Sequence, residues 1–265
     1  MGESRGGVCA IDTHTHLNHP RLLGRLTDVL RRARSAGVRE MIVVGYDVPS
    51  SELAVELAEQ NSGLWAAVGV HPHDAAGMDD EAGARIRALA KSEKVVAIGE
   101  TGLDFYRNLS PRAAQEDGFR THLALAEEVK LPVIVHCRDA QNEVLDVLGS
   151  CGPSGVVWHC FDGTAEQAKR ALELGVMLGF GGRLTYRSAE TLRRVAAKMP
   201  ADRILLETDC PYLIPEGVGG RDNEPANLGV IAECLAELRA EDPGQLERAA
   251  TENARRVFAL ERERR

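Results

Sequence analysis

Short runs of aliphatic residues alternate along this chain with longer amphipathic stretches. The apolar runs are VCAIDTH, REMIVVGY, LWAAVGVH, VVAIGETG, PVIVHC, GVVWHC, VMLGFGG and RILLETD. Each is short and largely apolar throughout, the pattern of a strand covered on both faces. Between them, residues 20–36, 49–61, 79–92, 111–130, 139–149, 164–174 and 188–199 carry apolar side chains at three- and four-residue spacing, which predicts helices. Ser110-Pro111 is placed to open one helix, and Gly37 and Gly175 each to close one. Residues 225–260, from PANLGVIAECLAELRA to NARRVFAL, read as further helix packed outside the sheet. Apolar strands separated by helices imply a covered parallel sheet, and eight such units in one domain, residues 1–265, predict a (β/α)8 barrel. Residues 214–225, IPEGVGGRDNEP, suit a mobile loop over its mouth.

Composition narrows the partners. The chain has 265 residues, 44% of them hydrophobic, enough for one large core. Its formal net charge of −8 argues against a broadly basic surface that would hold nucleic acid through counterion release, so a phosphate substrate must be gripped locally. The six cysteines form no C-x-x-C pair and several sit in apolar runs, which points to reduced thiols and a cytoplasmic address. MGESRGG is followed by no apolar signal core and lacks the hydroxyl residue of a myristoylation site. No apolar stretch approaches the ~18 residues needed to cross a bilayer, so no membrane attachment is expected. No obligatory protein partner is implied either.

Chemistry collects where barrel enzymes use it, at the C-terminal ends of the strands. In DTHTH, His14 and His16 project the same way if the strand continues that far. His71, Glu100, His136, His159 and Asp209 end the third, fourth, fifth, sixth and eighth runs. His14, His16, Glu100, His136, His159 and Asp209 are too many ligands for one catalytic zinc, which takes three protein ligands and a water; two divalent ions fit better. Glu100, with two oxygens, is the natural bridge between them. Mg2+, Mn2+ and Zn2+ all stay open as occupants, imidazole favouring the transition metals.

The motifs DTHTHL, GVHPH, IGETGLDFY, VHCRDA, HCFDG and LLETDCPYL, with NEPANL and NARRVF, resemble in order those of the TatD family of metal-dependent hydrolases across nearly the whole chain. The resemblance implies an amidohydrolase-like barrel and DNase activity, often 3′ to 5′ exonucleolytic on single-stranded ends, with DNA as substrate. Carried onto matching positions, it implies that His14, His16, Glu100 and Asp209 bind one ion and that Glu100, His136 and His159 bind the other. It also places His71 in the active site, where a phosphate contact is preferred over a structural role at the Pro72 turn. Two departures are Asn18, where Asp is common, and Asp222 in GRDNEP; neither is a ligand, and the second could alter loop contacts to substrate.

Other residues are open to two readings. Asp209 could hold an ion and also take a proton from the attacking water. Glu207 reads as a buried anchor for a neighbouring group. Asp104 and Arg138 could pair to orient the site or each cap a helix. Arg138, Arg183 and Arg221 are candidates to position phosphate, and Phe161, Tyr186 and Tyr212 to stack on a base or pack the rim. Strand alternation turns Cys137, Cys160 and Cys210 toward the helix layer. His73 could go either way, and His19 and His122 read as a loop and a helix-face residue without special role. The alternative to a nuclease is a metal-dependent esterase or amidase on the same barrel, such as a deacylase of misacylated aminoacyl-tRNA.

Overall fold

The computed structural model describes residues 9–152 and 155–260; the MGESRGG stretch lies outside them. All eight apolar runs form strands: β1 (Ala10–Thr15), β2 (Val38–Val44), β3 (Leu64–Val68), β4 (Val95–Asp104), β5 (Val133–Arg138), β6 (Val156–Trp158), β7 (Met177–Phe180) and β8 (Ile204–Leu206). They pair in sequence order and every pair is parallel. The last strand meets the first through a Thr15–Cys210 bridge, with Asp209 N–H donating to His14 O at 3.0 Å and His16 N–H to Cys210 O at 2.8 Å. The sheet is thus a nearly closed barrel.

Helices cover its outer face. The helix expected over 20–36 is two, α1 (Pro20–Leu23) and α2 (Leu26–Ser35), parted at Gly24 and Arg25. Then follow α3 (Val48–Gln60), α4 (Asp80–Leu89), α5 (Arg112–Val129), α6 (Gln141–Cys151), α7 (Ala165–Glu173), α8 (Glu190–Ala196), α9 (Leu228–Arg239) and α10 (Pro243–Phe258). Asp47 and Thr164 close capping boxes at α3 and α7, satisfying backbone donors that the first turn leaves free. Ser110 does not cap α5; its hydroxyl donates to His73 O instead. Gly37 and Gly175 take left-handed φ values of 93° and 76°, as helix-ending glycines do.

Two cores result. One lies between strands and helices. The other takes a residue from each of the eight strands, among them Ile11, Ala67, Ile134 and Leu205, together with Ala254, Phe258 and Leu260 from α10 and its end. α10 therefore plugs the barrel from below, pinned by Asn253, whose amide donates to Ala201 O and Ile204 O at 2.8 and 2.9 Å.

The 214–225 loop is irregular as expected, but it is tied down. Asp222 pairs with Arg21 and Arg25, and Glu224 with Arg25 and Arg32, from α1 and α2 and the turn between them. No helix among the described residues is long and apolar enough to cross a membrane.

Candidate metal centre

At the strands' C-terminal ends lies a cavity of about 890 Å³. Glu100 reaches it from β4 and His136 from β5, while His16, His71, His159 and Asp209 follow the ends of β1, β3, β6 and β8; His14, on β1 itself, is buried directly beneath. Glu100 is almost fully buried between them. Its Oε2 lies 3.5 Å from His14 Nε2 and 3.8 Å from His16 Nε2, while Oε1 lies 2.9 Å from His136 Nδ1 and 3.6 Å from His159 Nε2. Asp209 Oδ1 completes the first group, 3.5 Å from His16 Nε2. All six expected ligands meet, and the two carboxylate oxygens of Glu100 face different sets of imidazoles.

The outer contact of each ring decides what its inner nitrogen can do. His16 Nδ1 donates to Val44 O at 3.1 Å, so Nε2 keeps its lone pair. His136 Nε2 lies 3.3 Å from Asp104 Oδ2 and His159 Nδ1 3.0 Å from Glu207 Oε1, so once either ring gives up its inner proton, Nδ1 of the first and Nε2 of the second would carry the lone pair. His71 is the opposite case. Its Nδ1 accepts from the His73 backbone N–H at 3.1 Å, so in the neutral ring Nε2 carries the proton, 3.8 Å from Glu100 Oε1. His71 presents a proton toward the cavity, whereas His16, His136 and His159 would present lone pairs there once their inner nitrogens are deprotonated. His14 Nδ1 is buried with no partner among the described residues, and its Nε2 lies 3.3 Å from His16 Nε2.

Electrostatics follow the same division. Burial raises the Glu100 carboxyl, but the imidazoles of His71, His14 and His136 around it outweigh that and hold the group well below the usual carboxylate range. Asp209 is likewise lowered, burial being outweighed by His16 and by the His159 charge. Burial and the neighbouring His136 push His71 well down, so the ring is neutral. His136 goes the other way: burial lowers it, but Asp104 and Glu100 raise it to about 9. Two ionised carboxylates and several converging imidazoles, whose inner protons a cation would displace, are the donor set of a divalent-metal centre, and His14, His16, Glu100, His136, His159 and Asp209 could hold it.

Glycines make room for this arrangement. A Cβ on Gly179 would sit 2.5 Å from Glu207 Oε2, and one on Gly102 would strike His136 O. Glu207 serves as the expected anchor, accepting from the Cys160 N–H as well as facing His159. Asp104 does not pair with Arg138. It contacts His136 and His73, the latter at 2.8 Å, and accepts from Arg107 N–H. Its signal was parity: β4 runs ten residues, so Glu100 and Asp104 share a face.

Arg138, Arg183, Arg221, Tyr186 and Tyr212 line the cavity, Arg183 tied to Asp162 at 2.8 Å. Phe161 is a correction: it is 1% exposed, packed edge-on against Trp158 and Phe180, and presents no face to a base. Cys160 is another. At φ 46° it leaves the strand conformation, so alternation does not apply and it lines the cavity; Cys137 packs in the outer core but also reaches the cavity wall, and Cys210 alone of the three stays wholly in that core. Asn18 shares Val44 O with His16 and also donates to Ser50 O, a double donation Asp could not make. His19 and Arg21, unflagged by the sequence, line the cavity beside Tyr212, and His122 is buried, accepting Val70 N–H.

A family profile described as TatD-related DNase matches residues 11–259. YabD of Bacillus subtilis, described as an uncharacterized metal-dependent hydrolase, is 41% identical over 94% of this chain and 98% of its own length. A protein of Cronobacter sakazakii described as the 3′-5′ ssDNA/RNA exonuclease TatD is 44% identical over 87% of this chain and 90% of its own. In structure, the YjjV protein of Escherichia coli, a TatD homologue, superposes with a TM-score of 0.91 at 33% identity, covering 95% of this chain and 99% of that one. The chain belongs to the TatD-related DNase family.

Proposed function

We propose that this protein hydrolyses phosphodiester bonds in nucleic acid with two divalent cations, removing nucleotides from the 3′ ends of single strands. The observation that carries the reading is Glu100, whose two oxygens address two groups of ligand atoms. On this reading His14, His16, Glu100 and Asp209 hold one ion and Glu100, His136 and His159 the other. Divalent cations held there would polarise the phosphoryl group and make a water a stronger acid. The protein's own groups do the rest. Asp209, kept ionised beside His16, takes the proton of the attacking water. His71, neutral with its Nε2 proton directed into the cavity, donates to a phosphate oxygen. Arg138 and Arg221 on the rim counter the charge of the incoming strand, and Tyr212 offers a ring to the terminal base. Relatives described as a metal-dependent hydrolase and a 3′-5′ ssDNA/RNA exonuclease support the same chemistry.

The test is a 5′-labelled single strand incubated with Mg2+, Mn2+, Zn2+ or chelator, alongside misacylated tRNA and simple esters. Stepwise shortening from the 3′ end that chelator abolishes is expected. Hydrolysis that survives chelation, or tRNA deacylation with DNA left intact, overturns the proposal.

A further inference from the structure

The connection between β4 and α5, residues 105–111, has no role in the reading above. Tyr106 and Leu109 there are 61% and 65% exposed, the two most exposed large apolar side chains among the described residues. Such a loop would ordinarily be loose, but this one is braced from beneath. The buried Gln115 accepts from Asp104 N–H at 2.8 Å and donates to Ser110 O at 2.8 Å and Asp104 O at 3.2 Å. Asp104 Oδ1 accepts from Arg107 N–H at 2.7 Å, and Ser110 Oγ donates to His73 O at 2.7 Å. Apolar groups fixed in position before a ligand arrives bind it at lower ordering cost. Beside the exposed ring, the Arg138 guanidinium lies 4.2 Å from the Tyr106 centroid, and Arg107 and Arg138 both line the cavity.

The two sides of the mouth are unequal. Beyond Tyr212 the 214–224 segment is tied by Arg21, Arg25 and Arg32, and Arg21 lies 5.7 Å over the Tyr212 ring. The Tyr212 ring lies 5.9 Å from that of His16, beside the candidate centre, and suits the terminal nucleotide. Tyr106, 61% exposed, lies outside the cavity lining beside Arg107 and Arg138, which line it, and suits the strand that continues from the cavity.

We infer that Tyr106, backed by Arg138, is a stacking platform for the base next to the terminal one in a single-stranded nucleic acid, with Arg107 and Arg138 beside its phosphate. The inference rests on the nuclease reading above. Aromatic rings bind bases without sequence preference, and arginines meet the backbone charge of a strand that this acidic chain would otherwise repel.

The test is a cycle between residue and base. A short single strand carries either a normal or an abasic nucleotide at the penultimate position, and kcat/KM is measured for the wild type, Tyr106→Ala and Tyr106→Trp with divalent metal present. In the wild type, and in Tyr106→Trp, losing the base is expected to cost about tenfold. In Tyr106→Ala the same loss costs less than about twofold, the intact strand having already become about tenfold poorer. An abasic penalty equally large in wild type and Tyr106→Ala overturns the platform while leaving the nuclease standing. Failure of the wild type to cut any strand overturns the nuclease reading and the platform with it.

Discussion

At its lower end the barrel is filled with hydrocarbon: Ile11, Ala67, Ile134 and Leu205 meet Phe258 and Leu260. At its upper end the same strands deliver four imidazoles and a glutamate, with Asp209 beyond β8. The lower end gains stability from removing apolar surface from water. The upper end gives it up, because each buried charge must be compensated by a neighbour of opposite sign or by a ligand. Substitutions at the two ends should therefore separate function from stability. Glu100→Gln breaks the comparison hardest: bound metal, by elemental analysis, should fall from two ions per chain to one or none and kcat/KM by roughly 10³ or more, with thermal unfolding little changed. Near-normal turnover in that variant would remove the bridge. Phe258→Ala should do the reverse, lowering unfolding free energy by about 3–5 kcal/mol in a denaturant titration while folded protein keeps its kcat.

His122 lies between the two regimes. It is fully buried, accepts Val70 N–H one residue before His71 and donates to Gly118 O at 2.7 Å, and burial lowers it to about 4. The folded protein refuses a proton that the unfolded chain accepts below its ordinary value of 6.5. Stability is then fully present above pH 6.5, falls with pH below it and levels off near pH 4, a loss of about 3 kcal/mol from this group. Unfolding curves of the wild type and His122→Gln between pH 7 and 4 measure it: the variant should show the shallower dependence. Equal slopes would place the acid sensitivity in the upper cluster instead.

The barrel was legible because each strand is a continuous apolar run bounded by turns and helices, so eight runs specify eight strands whatever their exact ends. The candidate centre was legible because its histidines and carboxylates sit where such runs stop. What escaped was set by contacts that no local pattern encodes. Asp222 finds Arg21 across 201 positions, so a loop that reads as mobile is pinned. Phe161 follows a strand end, as a mouth residue would, but its backbone N–H pairs with Gly179 O and its ring turns into the space between Trp158 and Phe180. Cys160 escaped because one left-handed φ cancels alternation. Tyr106 and Leu109 escaped because their exposure depends on how Gln115 holds the loop below them.

Asp104→Asn should give the smallest of these effects and the sharpest view of how the upper end is held. Asn keeps the volume and an oxygen to accept from Arg107 N–H, so the 105–111 loop stays in place. What changes is the charge facing His136 Nε2 at 3.3 Å and His73 Nε2 at 2.8 Å. An ionised partner there makes His136 Nδ1 a stronger donor toward a cation, and replacing such a partner typically costs 10- to 100-fold in metal affinity, about 1.4–2.7 kcal/mol. Activity should fall at limiting metal and recover when metal is raised, with KM for the strand unchanged. A change in strand KM that extra metal does not repair would instead mean that Asp104 acts through the loop carrying Tyr106, and the outer contact of His136 would be structural.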